Sequence, residues 1–143
     1  MKYFFLQVPS DARYLELIRR FVIDICRVNN IPERETDDIE LIVDETASNV
    51  VRHAYSQEQT GERRLIELEV EYHETRHEMI FSVADYGKGF SIKRFKSLQK
   101  KINERDPGGY GLHIIEKFSD KVEYSIHPNS KNVVTIHKII KDT

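Results

Sequence analysis

Apolar residues recur along this chain with two periods, near 3.6 and near two, and the changes of period divide it into elements. Tyr3, Phe4, Phe5, Leu6 and Val8 form an aromatic and apolar run closed by Pro9, which predicts a first strand at a sheet edge. After Ser10 and Asp11, both suited to capping, Tyr14, Leu15, Leu17, Ile18, Phe21, Val22, Ile25 and Cys26 repeat at helical spacing, so a helix is expected to end near Asn29 and Asn30. Pro32 and the acidic residues after it suit the start of a second helix. Its stripe is Ile39, Ile42, Val43, Ala47, Val50 and Ala54, and it runs out into the polar segment 56–61.

From Arg63 the period becomes two. Ile66, Leu68, Val70 and Tyr72 alternate with Leu65, Glu67, Glu69 and Glu71, the signature of a half-buried strand, and the polar residues 73–77 predict a hairpin. Residues 79–84 are apolar at nearly every position and read as a more central strand. Residues 91–106 are basic, with Ile92, Phe95, Leu98 and Ile102 at roughly helical spacing, and Pro107-Gly108-Gly109-Tyr110-Gly111 breaks that pattern. Leu112, Ile114, Ile115 and Phe118 then start a third main helix that closes around Ser119 and Asp120. Two strands, 122–126 and 133–136, follow about the turn 127–130. Hairpin-joined strands with helices gathered to one side make this an α+β chain, a two-layer α/β sandwich with a mixed, mostly antiparallel sheet and helices on one face. With 143 residues it is read as one domain, 1–143.

Composition narrows the function classes. Twenty-two Lys and Arg against 24 Asp and Glu leave a formal net charge of −2, which disfavours direct nucleic-acid binding. One cysteine, Cys26, excludes an internal disulfide framework, and its place in an apolar helical stripe predicts a buried structural thiol. The N-terminal apolar run is too short for a signal-peptide core or a membrane span, so a soluble, cytoplasmic protein is expected.

Three stretches carry candidate chemistry. Glu45 and Asn49 stand four apart on the second helix, roughly 100° or more around from its apolar stripe. A carboxylate can accept a hydroxyl proton, and a carboxamide oxygen is a hard ligand suited to Mg²⁺. The bland alternative is a solvated polar face. Asp85-Tyr86-Gly87-Lys88-Gly89 follows the apolar strand: the acid can accept from an exocyclic amine, and Gly87 and Gly89 permit positive φ or a close backbone approach to a ligand. An ordinary turn would also use Asp and Gly. Gly109-Tyr110-Gly111-Leu112 opens a helix, where backbone N–H groups can cradle phosphate; the alternative is a hinge. No P-loop pattern occurs, and the glycines do not follow the first strand of a βαβ unit.

The three stretches in this order, an acid-x-x-x-Asn helix, Asp-x-Gly-x-Gly after a strand and Gly-x-Gly-Leu at a helix start, resemble the N, G1 and G2 boxes of the ATP-binding (Bergerat, or GHKL) domain. Gyrase-type topoisomerases, histidine kinases and mismatch-repair ATPases share that domain. The resemblance covers nearly the whole chain. Within the superfamily the chain looks most like the small bacterial anti-sigma regulatory factors, stand-alone serine/threonine protein kinases. Neither a preceding phosphoacceptor helix pair nor a following transducer domain is seen in the sequence.

The resemblance implies ATP and Mg²⁺ as cofactors, with Glu45 the general base toward a substrate serine, Asn49 the Mg²⁺ ligand and Asp85 the reader of the adenine amino group. Gly87 and Gly89 would shape the pocket floor, and Gly109, Gly111 and Leu112 would line the phosphates. Residues 90–108 would form a lid carrying cations such as Lys100 and Arg105. The implied partners are an anti-anti-sigma (STAS-type) protein, which would be phosphorylated, and a sigma factor or analogous target, which would be sequestered; a homodimer is a further implication. Two other readings stay open: an ATP-binding partner-switching module without kinase activity, and a sensor-kinase-type catalytic domain acting on a separate phosphoacceptor. One departure from the family is the closing turn Asn129-Ser130-Lys131-Asn132, which lacks the usual glycines. It is expected to lie remote from the chemistry.

Overall fold

The computed structural model describes residues 1–55, 64–88 and 110–142, the side chains of 110–112 excepted. Its elements run β1 (Lys2–Pro9), α1 (Leu15–Val28), α2 (Glu33–His53), β2 (Leu65–His73), β3 (Glu78–Asp85), α3 (Tyr110–Phe118), β4 (Lys121–Ser125) and β5 (Asn132–Ile139). The strands form one sheet in the order β1-β2-β3-β5-β4, and all four pairings are antiparallel, so the parallel member that a mixed sheet would need is absent among the described strands. β1 is an edge strand, as Pro9 at its end requires, and β3 is the centre.

Alternation decides which face is covered. Ile66, Leu68, Val70 and Tyr72 of β2 are buried, as are Met79, Phe81 and Val83 of β3 and Val134 and Ile136 of β5. They share one core with Ile18, Val22, Ile25 and Cys26 of α1 and with the whole apolar stripe of α2. Burial pushes the Cys26 thiol up to about 12, which leaves it an inert part of that core. The intervening residues, Glu67, Glu69 and Glu71 on β2 among them, occupy the face without helices and are half-buried.

Local chemistry fixes the helix ends. Asp11 accepts from the Arg13 N–H (3.0 Å) and caps a short 3-10 turn, Ala12–Tyr14, that leads into α1. α1 stops where Asn30 turns left-handed (φ 57°) and the Ile31 N–H reaches back to the Cys26 carbonyl at 2.9 Å. α2 is anchored at its start by Lys138 of β5, whose Nζ lies 3.5 Å from Glu35 and 3.9 Å from Asp38. No helix among the described residues is long and apolar enough to cross a membrane.

Candidate functional site

α2 presents two adjacent acids, and the fold uses them differently. Asp44 accepts from Arg19 of α1 at 2.8 Å, an interhelical pair that holds the two helices together. Glu45, one residue on and about 100° around the helix, is half-buried. Asn49 sits one turn beyond it and is also half-buried, so the pair is not a freely solvated face. Arg52 joins them: its Nη2 donates to Asn49 Oδ1 at 2.8 Å and stands 3.9 Å from Glu45 Oε2. Sequence reading gave Arg52 no role, although its spacing of three from Asn49 was visible.

Asp85 closes β3 and is only 2% exposed. Its Oδ1 accepts two hydrogen bonds, from the Gly87 N–H (2.9 Å) and from Asn132 Nδ2 (3.0 Å). Neither bond uses Oδ2. Burial raises the Asp85 pKa above its ordinary value of 3.8, and the bonds from Asn132 and Gly87 oppose that rise.

The closing turn therefore is not remote from the predicted site. Asn132, itself 2% exposed, donates to both Asp85 Oδ1 and the Gly87 carbonyl (3.0 Å each) and accepts the His127 N–H at 2.9 Å. Asn129, left-handed at φ 61°, donates its N–H to the same Gly87 carbonyl at 2.7 Å. The expectation failed because it judged the turn by its missing glycines. β3 and β5 are register neighbours, with Asp85 opposite Asn132, and that pairing was not readable without the strand order.

Gly87 has a reason of its own. A Cβ built there would lie 1.9 Å from the Ala54 carbonyl oxygen and 2.6 Å from its carbon, so β3's exit touches the end of α2 backbone to backbone. The Lys88 N–H donates to that carbonyl at 2.9 Å. The close approach is thus to the protein's own helix, and Gly87 does not take positive φ. Tyr55 reinforces the junction: its buried hydroxyl donates to the Leu65 carbonyl (2.6 Å) and accepts from the Leu65 and Tyr86 N–H groups (3.1 and 2.9 Å). One helix end therefore ties the start of β2 and the end of β3 to α2. Asn49 lies five residues before Ala54, about 7.5 Å along the axis.

Gly111 and Leu112 fall in the first turn of α3, which begins at Tyr110, two residues earlier than the apolar pattern implied. Gly89, Gly109, Lys100, Arg105 and the predicted lid 90–108 lie outside the described residues. Among the described residues, no three His, Cys, Asp or Glu side chains are grouped to hold a metal ion by themselves.

Comparison with known proteins gives the family. Residues 8–138 match the model of the histidine kinase-like ATPase domain. The serine-protein kinase RsbW of Bacillus subtilis is 26% identical over 131 residues, 87% of this chain and 79% of that protein. The RsbW of Halalkalibacterium halodurans is 30% identical over 124 residues, 82% of this chain and 72% of the relative. In fold, the chain is similar to a chain of the SiaB–SiaC complex from Pseudomonas aeruginosa, with a TM-score of 0.69 at 13% identity over 94% of this chain and 88% of that one. The structure of the RsbU and RsbW domains of Rv1364c from Mycobacterium tuberculosis also gives 0.69 at 13% identity, covering 98% of this chain and 33% of that one. By the span of the family match and by its relatives, this chain belongs to the histidine kinase-like ATPase family, in the branch of the RsbW serine-protein kinases.

Proposed function

We propose that this chain is an ATP-dependent serine/threonine protein kinase that acts as an anti-sigma regulatory factor. It phosphorylates a small anti-anti-sigma (STAS-type) partner and sequesters a sigma factor or analogous target. The observation that carries the reading is Glu45 one turn before Asn49, both half-buried around one guanidinium, on the helix whose end is bonded to the turn after Asp85. The relatives named serine-protein kinases support the activity, and a fold neighbour solved in complex with another protein supports a protein partner.

The described residues fit Mg·ATP. Asn49 Oδ1 is a hard oxygen that already attracts a cation, the Arg52 guanidinium. Asp85 offers a buried carboxylate with Oδ2 unused by its two internal bonds, able to accept from the amino group of adenine. Asn49 would hold the metal together with phosphate oxygens, and the ion would supply charge neutralisation for phosphoryl transfer. Glu45 would orient the incoming serine hydroxyl and accept its proton. Gly109, Gly111 and Leu112, with lid cations such as Lys100 and Arg105, would surround the phosphates. A phosphate placed on the partner adds roughly −2 charge to the interface, which gives a switch between partners.

Transfer of labelled phosphate from ATP to a partner captured from native lysate tests this. Acid-stable label on the partner is expected, as a serine ester requires, and Glu45→Gln should slow transfer about 10²–10⁴-fold while ATP still binds. Undiminished transfer by Glu45→Gln would remove the base assignment. Alkali-stable, acid-labile label would indicate phosphohistidine, and ATP binding with no transfer would indicate a module that only switches partners.

A further inference from the structure

The polar group that the site reading did not absorb is Asn132. It is a buried carboxamide with three hydrogen bonds, two of them into the Asp85–Gly87 turn. We propose that Asn132 is the positioning residue that sets base specificity: by binding Asp85 Oδ1 it reserves Oδ2 as the acceptor that reads an exocyclic amine. This rests on the reading of Asp85 as the contact to the base.

Two donors converge on Oδ1, the Gly87 N–H and Asn132 Nδ2. An oxygen that accepts two hydrogen bonds is a poor place for a proton, so protonation of Asp85 falls on Oδ2. That single event inverts the chemistry of Oδ2 from acceptor to donor. An acceptor selects the 6-amino group of adenine, whereas a donor selects the 6-carbonyl of hypoxanthine. Burial drives Asp85 toward the protonated form, and Asn132 is one of two groups that oppose it. Asn132 cannot turn away to another partner, because its own Oδ1 is held by the His127 N–H and its Nδ2 also serves the Gly87 carbonyl. The sign follows: without Asn132, Asp85 takes up its proton at higher pH, and adenine selectivity is lost from the acid side first.

Other titratable or charged groups on the elements around Asp85 are Tyr55 and His53 at the α2 end, Glu67 on β2, Lys88 beyond Gly87, and His127 and Lys131 in the closing turn. The readout is the affinity for ATP and for ITP, each taken at every pH. The two nucleotides share ribose and triphosphate and differ only at the base, and His127→Gln serves as a control.

Affinities of the full chain for ATP and ITP are measured from about pH 5.5 to pH 8 for wild type, Asn132→Ala, Asn132→Ser and Asp85→Asn. The expected result is an ATP affinity that falls below wild type in Asn132→Ala at the acid end, by up to about tenfold for the displacement of roughly one pKa unit that loss of one bond to a carboxylate produces, and that returns to wild type at pH 8, while ITP affinity is not lowered. Asn132→Ser, which keeps one donor, should move the same way by less, and it carries the test if the alanine variant does not fold. ATP affinity unchanged in both variants, or ATP and ITP affinities lowered alike at every pH, overturns the proposal. Asp85→Asn should favour ITP at all pH values. If it keeps the wild-type ratio, the base-contact reading fails; if it inverts the ratio while the Asn132 variants do not move it, only the present inference fails.

Discussion

Arg52 spans one turn of α2 to hold Asn49, Nη2 to Oδ1 at 2.8 Å, and in doing so places a positive charge 3.9 Å from Glu45. The contact defines which end of the Asn49 amide is oxygen at this site. It also means that a divalent cation approaching Asn49 Oδ1 meets a resident cation first. The Arg52 side chain is 54% exposed, so the pair contributes little to stability, within the 0–1 kcal/mol or so usual for exposed ion pairs. Arg52→Ala should therefore leave the melting temperature within about 3 °C of wild type. The Mg²⁺ concentration for half-maximal ATP binding should fall by up to about fivefold, the equivalent of the contact displaced. Titrating Mg²⁺ at fixed nucleotide reads the change; a midpoint that rises would mean that Arg52 assists the nucleotide and does not compete with the metal.

Gly87→Ala tests the junction between β3 and α2. A Cβ at 1.9 Å from the Ala54 carbonyl oxygen meets the Ala54 backbone, so no side-chain rotation relieves it. Overpacking costs about 1–3 kcal/mol where neighbours can shift and more where they cannot, and this position should reach or exceed the upper value. The displacement is transmitted to Asp85 through the Gly87 N–H bond. Urea denaturation should show the loss, and ATP affinity should fall with it. A variant of wild-type stability would show that the α2 end can yield.

The layering of the fold was legible because each element carries a strong period. The α2 stripe from Ile39 to Ala54 is buried throughout, and β2 alternates as Ile66, Leu68, Val70 and Tyr72 require. The acid of the candidate site was legible as a residue type at a strand end. Its surroundings were not. Asn132 is 47 residues from Asp85 and meets it only because β5 pairs with β3, a non-local choice that no local pattern encodes. Gly87 was singled out for approach to a ligand or for positive φ, and what it meets among the described residues is Ala54. Likewise, the α2 end is tied to strands by Tyr55, an aromatic whose hydroxyl contacts with Leu65 and Tyr86 no local pattern encodes.

A buried ion pair sets the other end of α2. Lys138 is 11% exposed and Glu35 7%, with Glu35 Oε2 3.5 Å from Nζ and without a hydrogen bond of its own. Desolvation makes such a pair a weak source of net stability, while removing one partner strands the other charge. Lys138→Met should cost about 3–5 kcal/mol, and adding Glu35→Leu should recover most of it. Chemical denaturation of the two single variants and the double variant closes the cycle. If Lys138→Met alone is neutral, solvent suffices to hold the Glu35 carboxylate at the start of α2.

Asp85→Asn separates stability from recognition. Burial raises the folded-state pKa of Asp85 above 3.8, so its contribution to stability is fully present below the unfolded value and is lost as pH rises through the folded one. At neutral pH the wild type carries that cost and the asparagine variant does not, since an amide oxygen can accept the same two bonds from Gly87 and Asn132. The melting temperature of Asp85→Asn should therefore equal or exceed wild type at pH 7, and the difference should shrink as pH falls toward 4. ATP affinity should move the opposite way, because the Oδ2 acceptor becomes an N–H donor facing an amine, a mismatch worth about tenfold or more at a buried polar contact. Thermal melts and ATP titrations at pH 4.5 and pH 7 provide both readings. A variant less stable at pH 7 than at pH 4.5, relative to wild type, would show that the charged form is held by donors stronger than Asn132 and Gly87.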